Sequence, residues 1–397
     1  MPAPRLAVIS TAIPPAASGQ ARVLGQLLTA AVVAPPRWFT DHPAAPEAGM
    51  PGFGTRITLN PPRFLLYQGR GAGCLPRVNN LAGLMATVLG RAWQIIRALQ
   101  AEPVQAVIAA SGSPFDLPAA WLAAERLRLP FLAWLFDDPV MQWPADTPYR
   151  GFARFWERRW AGRCQPIAPN EVMAEDFVAR NPRARHATLV RNPAADGAFA
   201  PPPARWPAAP GAVRILYTGS VYGAQVDALR NLLSAIRSSE GFELVIHTAQ
   251  TEAQLAEMGL AGEGVRVRPH LPHAEALAAQ QMADILFLPL AFESAIPEVI
   301  RSSAPAKAAE YLASGRPVLV HAPPGAYVNR LFGGGSEGAG LVVDRPDPAA
   351  LAAALLRLRN EPGLRAGMAA RATTLAGEFR VDANQARLLA TLPAGRA

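Results

Sequence analysis

The chain has 397 residues, half of them hydrophobic, which marks a globular protein long enough for two or three domains, each with its own core. A formal charge of +8 at pH 7 and an isoelectric point near 10.2 leave nucleic acid, an acidic membrane surface and a phosphorylated small molecule open as anionic partners. Cys74 and Cys164 stand far apart without metal-ligand spacing, which excludes a disulfide framework and fits a reducing compartment. The apolar run before Pro14-Pro15 is too short for a secretory signal, and no uninterrupted apolar stretch reaches the ~20 residues of a membrane span. A cytoplasmic protein is expected.

Short apolar runs alternate with helical patterns almost from end to end, as in parallel βαβ units. Residues 5–11 read as a strand and 19–30 as a helix. The helix expected around 78–99 has an apolar side, Leu81, Met85, Val88, Leu89 and Ile96, that reads as core. Residues 101–110, 117–127, 130–136 and 171–180 continue the alternation. A helix over 150–163 would carry Phe152, Trp156 and Trp160 on one stripe and Arg150, Arg154 and Arg158 on the other. Such a helix suits either an aromatic face in the core or an anionic bilayer surface. Residues 194–212, with Pro201-Pro202-Pro203 and no apolar period, read as a linker. The alternation then restarts with strands at 214–218, 242–247, 265–268, 284–290, 317–321 and 340–343. Helices are expected at 226–237, 275–282, around Lys307 and at 348–359, with a last helical pattern over 365–392. No internal sequence repeat is visible. The expected fold is α/β, two Rossmann-like doubly wound domains facing a central cleft, the usual place for a ligand in such folds.

Lys307 is the one lysine among 38 basic residues. Pro305 suits a first helical turn, which places Lys307 where the macrodipole is already positive; a bound phosphate would remove that conflict. Glu310, one turn later on the same face, reads either as a local surface pair or as an acceptor for a vicinal diol such as a ribose. The loop Pro14 to Arg22 offers Ser18 and Gly19 between a strand and a helix but lacks dinucleotide-fingerprint spacing. The loop Thr218-Gly219-Ser220-Val221-Tyr222-Gly223 stands in the corresponding place of the second domain. Glu293 follows a strand's carboxyl end. Asp137 and Asp138 close the apolar strand before Pro139, where they could bind hydroxyls or take a proton or, equally, cap a turn. His270 and His273 supply two metal ligands at most, so no metal and no cofactor is expected, and no nucleic-acid motif is present.

These stretches resemble the retaining family-four glycosyltransferases of the GT-B fold. The most specific parts are Ser303 to Pro317, similar to the family's Pro-x-Lys-x-x-Glu-Tyr-Leu-Ala-x-Gly-x-Pro variant, and Tyr217-Thr218-Gly219-Ser220, while Gly338 to Asp344 resembles the closing strand. The resemblance implies residues 1–195 as an acceptor-binding domain, 196–212 as a linker and 213–375 as a sugar-nucleotide-binding domain, with 376–397 crossing back. It implies donor contacts from Ser18, Gly19, Gly219, Ser220, Tyr222, Pro305, Lys307 and Glu310, with Glu310 on the ribose and Lys307 on the diphosphate. Catalytic roles fall to Lys307, Glu293 and Asp138, and the acceptor side to Asp137 and Asp138. Three departures stand out. Ser302 replaces the first of the family's paired glutamates. Ser220 and Gln225 replace the usual diphosphate-binding cations. The first-domain histidine gives way to the region of Asp137 and Asp138. The expected activity is transfer of a sugar from a nucleotide-sugar donor to a glycan or lipid-linked acceptor in envelope or exopolysaccharide assembly, with peripheral membrane contact and no nucleic acid. The alternative is an inactive scaffold that binds nucleotide sugar or glycan.

Overall fold

The computed structural model describes residues 3–16, 18–29, 31–42, 54–62, 74–200 and 211–392, with the side chains of 74–80 and 336 excepted. The triple proline of the expected linker lies outside them. The chain divides into two compact units: unit 1 is Met1–Arg191 with Asn384–Ala397, and unit 2 is Asn192–Ala383.

Unit 1 is built on a parallel sheet of β1 (Leu6–Ile9), β2 (Arg37–Thr40), β3 (Thr55–Thr58), β4 (Ala106–Ala110), β5 (Phe131–Trp134), β6 (Gln165–Ala168) and β7 (Thr188–Leu189). Their spatial order is β3-β2-β1-β4-β5-β6-β7. Strands β1, β4 and β5 are buried at every residue, which explains their unbroken apolar runs, since both faces of a parallel sheet are covered. On one face lie helices Cys74–Ala101, Asp116–Leu127 and Pro148–Trp160, whose Val88, Ala120 and Trp156 meet Ala7, Val107 and Ala133 in one core. On the other, helix Gly19–Leu27 lays Val23, Leu24 and Leu27 against Val8, Ile108 and Trp134, joined by Leu388 of the last helix. That helix, Val381–Thr391, is tied to unit 1 by Asn384 Oδ1, which accepts from Arg191 N at 2.7 Å, and by Gln385 Nε2, which donates to Gln26 O at 2.9 Å.

Unit 2 repeats the topology without repeating the sequence. Strands β8 (Val213–Thr218), β9 (Phe242–Thr248), β10 (Val265–Pro269), β11 (Ile285–Pro289), β12 (Val318–His321) and β13 (Leu341–Val343) are ordered β10-β9-β8-β11-β12-β13, all parallel. In each sheet the order reverses beside the first strand, between β1 and β4 and between β8 and β11. Loops leaving the carboxyl ends of those strands diverge to opposite faces and leave a crevice there.

Two expectations about helix faces resolve differently. Phe152, Trp156 and Trp160 are buried, so the aromatic stripe of 148–160 is core. On the long helix Val88 is buried, but Leu81 and Leu89 are exposed rather than core.

Candidate active site

In unit 2 the crevice is furnished by the loop after β8, the loop after β11 and the helix Ala306–Ala313. Pro305 occupies the cap position with extended angles and no side chain caps the helix, so its first N–H groups face outward as an anion-binding end. Lys307, half-buried in that first turn, directs Nζ to 4.8 Å from the Tyr217 ring centre and 3.5 Å from its hydroxyl. The phenol spends its own proton on Ser220 O at 2.7 Å, and burial raises its pKa, so it stays neutral under the ammonium. Gly219 makes room for this arrangement. Its φ is +115°, and a Cβ there would stand 2.9 Å from both Cε and Nζ of Lys307, closer than real Cβ contacts come. The lysine thus lies over bare backbone at the end of β8.

Glu310 is buried, which sets aside the surface-pair alternative. Its Oε1 is 2.9 Å from His273 Nε2, and its Oε2 accepts from Gln280 Nε2 at 2.9 Å. The same Gln280 amide reaches Thr218 Oγ1 at 3.2 Å, so the carboxylate is fixed between the end of β8 and the helix His273–Gln281. Its two holders went unrecognised in the sequence. Their spacing of seven puts them on one helical face, a signal that carries meaning only once Glu310 is known to sit beside it.

Glu293 is exposed at the end of β11. Asp227, in the first turn of helix Val226–Arg237, accepts from Phe292 N and Glu293 N with Oδ2, both at 2.8 Å, and Ala291 N donates to Ala224 O at 2.8 Å. The loops after β8 and β11 are therefore joined. Phe292 leans on His321 at 4.6 Å between ring centres. His321 donates from Nδ1 to Val343 O at 2.9 Å and accepts from Asn231 Nδ2 at 3.1 Å, the neutral tautomer these partners require. Burial lowers its pKa and preserves that state. Of the positions where the resemblance places diphosphate-binding cations, Ser220 is exposed and Gln225 is buried, its Oε1 accepting from Tyr222 N at 3.3 Å. Gln225 braces the loop from which Tyr222 projects, 59 % exposed. Ser302 is buried and donates to Glu298 O at 3.1 Å, a local role inside its own helix.

In unit 1, Ser18 caps the helix after β1, its Oγ accepting from Ala21 N at 3.1 Å. A Cβ on Gly19 would meet nothing within 4 Å, so the space over the helix start is open. Asp138 takes the capping role. Its Oδ1 accepts from Val140 N and Met141 N, both at 2.9 Å, and Arg180 grips the buried carboxylate at 2.9 Å. The oxygens of Asp138 are thus engaged by the turn and the arginine, the turn-capping alternative of the sequence reading. Asp137 is the member of the pair that reaches solvent; the protein around it and the Asp138 charge raise its pKa. Elsewhere in unit 1, fully buried Arg91 donates to Asp116 at 2.6 Å and to Asp41.

Residues 212–361 match the family model described as glycosyl transferases group 1. No curated protein matches the chain by sequence. Among solved structures, the chain is similar to sucrose-phosphate synthase from Thermosynechococcus elongatus (TM-score 0.69, 17 % identity, 98 % of each chain covered). It is also similar to Anabaena HepE in complex with UDP and glucose (0.67, 13 %, 98 % of this chain and 99 % of that one). A third is the α,α-trehalose 6-phosphate synthase of Burkholderia multivorans (0.67, 14 %, 100 % of each). At these identities the likeness establishes the fold, which is that of GT-B glycosyltransferases.

Proposed function

We propose that the chain is a glycosyltransferase in which unit 2 holds a nucleotide-sugar donor and unit 1 holds the acceptor. The observation that carries the reading is Lys307 lying over Gly219 at the switch point of the unit 2 sheet, within a segment that matches glycosyl transferases group 1. The uncapped helix end and the ammonium would neutralise charge that develops on the departing diphosphate, electrostatic help of the kind that dominates many active sites. Glu310, held by His273 and Gln280, would accept the ribose diol. Gly219, Ser220, Tyr222 and Pro305 would complete the donor site, and Glu293 would address the sugar. Of the unit 1 residues, Ser18 and Gly19 would be donor contacts, and Asp137 and Asp138 would serve the acceptor.

The support for a UDP-sugar is the neighbour HepE, described with UDP-glucose and with UDP. The finer reading is transfer with retention, without a metal requirement, to a glycan or lipid-linked acceptor in envelope or exopolysaccharide assembly, on the cytoplasmic side with peripheral membrane contact. A second reading, a scaffold that binds sugar nucleotide without turning it over, is favoured by the neutral Ser220, Gln225 and Ser302. Thermal shift across sugar nucleotides identifies the ligand, because binding stabilises by mass action. Release of nucleoside diphosphate from that ligand then separates the readings: stabilisation without release by wild type, across a panel of glycan acceptors, would establish the scaffold, and neither effect would remove both.

A further inference from the structure

Helix Cys74–Ala101 buries Leu84, Val88, Ala92, Ile95 and Leu99 against its sheet, yet Leu81, Leu89 and Trp93 are 53 %, 55 % and 59 % exposed. Leu89 and Trp93, four residues apart, are neighbours on the helix surface, whereas Leu81 is turned about 80° from Leu89. Arg97 follows Trp93 at the same spacing of four, its guanidinium 5.1 Å from the Trp93 ring centre. No acidic residue occurs in the helix's 28 residues. On the same face of the sheet, helix Pro148–Trp160 exposes Phe155 at 40 %, with Arg159 stacked 3.4 Å from its ring centre and Arg158 beside it. Single exposed leucines need no explanation; four of the eight exposed large hydrophobics among the described residues lying on the helices of one sheet face do.

The chemistry of the ridge selects its occupant. An exposed leucine, aromatic rings and arginines stacked on those rings match the boundary between lipid tails and headgroups. There tryptophan sits at the interface, guanidinium pairs with phosphate, and a chain of charge +8 is drawn to anionic lipid. No described helix is long and apolar enough to cross a membrane, so the contact would be a helix lying in the surface plane.

We propose that Leu89, Trp93 and Arg97, with Phe155, Arg158 and Arg159, form a docking face for an anionic bilayer surface. The proposal deepens the peripheral-contact part of the reading above and does not depend on donor chemistry. Vesicle binding can thus fail while turnover persists, and the reverse.

The test is co-sedimentation of the full chain with phosphatidylcholine vesicles, with and without phosphatidylglycerol. Wild type should pellet with the anionic vesicles and be released as salt rises, since exposed attraction decays over about 8 Å at physiological ionic strength. Leu89→Ser with Trp93→Ala should weaken partitioning at least tenfold, about 1.4 kcal/mol. Arg97→Gln with Arg158→Gln and Arg159→Gln should abolish the preference for anionic over neutral vesicles. Both variants should keep the wild-type unfolding midpoint and sugar-nucleotide binding, which shows that they fold. Absence of wild type from the anionic pellet would overturn the proposal, as would undiminished binding by the Leu89/Trp93 variant. A dimer in sedimentation velocity that this variant dissolves, without vesicle binding by wild type, would assign the ridge to a second copy instead.

Discussion

Gly219→Ala is the most discriminating perturbation of the proposed donor site, because one methyl group acts through two separable effects. At φ +115° an alanine sits in a region that costs about 1–3 kcal/mol. In a domain of this size each kcal/mol lowers the unfolding midpoint by roughly 2–4 °C, so a fall of roughly 2–12 °C is expected from strain alone. The same Cβ meets Lys307 Cε and Nζ at 2.9 Å. The ammonium, at the end of a flexible chain, moves off the Tyr217 ring and off the end of β8. Hydrogen bonds to charged groups are worth about 1.5–3 kcal/mol, so affinity for a nucleoside diphosphate should fall roughly 10- to 150-fold. Titration calorimetry with UDP and the other nucleoside diphosphates measures it, beside thermal unfolding of the free protein. The second effect needs the lysine, so Gly219→Ala placed on Lys307→Ala should lower the midpoint again and leave affinity where Lys307→Ala left it. Coupling of this kind between contacting residues runs to about 0.5–3 kcal/mol. Additive losses of affinity, or a lowered midpoint with full affinity, would show that Lys307 does not reach the phosphates.

Three further outcomes follow from the same geometry. Lys307→Ala should cut both kcat and kcat/KM by on the order of 10²-fold, and Lys307→Arg should recover part of it, because a planar fork approaches differently; steady-state rates near wild type for both would place the lysine outside the chemistry. His273→Ala should raise the donor KM with little change in kcat and should add nothing on a Glu310→Ala background, whereas equal losses on both backgrounds would detach the histidine from the carboxylate. Asp116 is held near pKa 6 because burial outweighs the pull of Arg91; the folded state keeps a proton that the unfolded chain has lost, so ionisation costs stability as pH rises from about 4 to about 6. The stability of wild type minus that of Asp116→Asn should therefore decline across that window and level off above it, and a flat difference in denaturant melts would mean that Arg91 keeps the carboxyl ionised throughout.

What the sequence conveyed depended on whether a feature is local. Lys307 and Glu310 lie in one short motif, and the buried strands β1, β4, β5, β8, β11 and β12 announce themselves as apolar runs because parallel strands are covered on both faces. Strands Arg37–Thr40 and Thr55–Thr58 were not anticipated. Four residues offer too few alternations to establish a period, and β3 is an edge strand with none of its residues buried. The holders of the site were hidden for a different reason. His273 reaches Glu310 across 37 positions, Asp227 reaches the Glu293 loop across 66, and Asn231 reaches His321 across 90; only the sheet order brings them together. The long helix misled because its apolar residues exceed one face, and periodicity assigns a face to the core without saying what a surplus on the other side is for.

The two units share a strand order yet place different charged groups at the carboxyl ends of their strands, and that difference bears on the proposed division of labour. At the carboxyl edge of the unit 1 sheet stand Asp41, Asp116 and Asp137, following β2, β4 and β5, against Arg91, whose charge is already shared between the first two. At the corresponding edge of unit 2 stand an uncapped helix end and an ammonium resting on glycine; of the carboxylates there, Glu310 is engaged by an imidazole and an amide, Asp227 by the backbone of the loop after β11, and Glu293 is exposed. A diphosphate placed on the first edge would meet carboxylates of like charge. Placed on the second, over the helix end, it would meet N–H dipoles and a cation. Sugar hydroxyls reverse the preference, since carboxylates are good acceptors for them. On the proposed reading, the same backbone plan would serve as a donor unit and an acceptor unit through a handful of side chains at the ends of its strands, which is where a fold can change chemistry without changing its core.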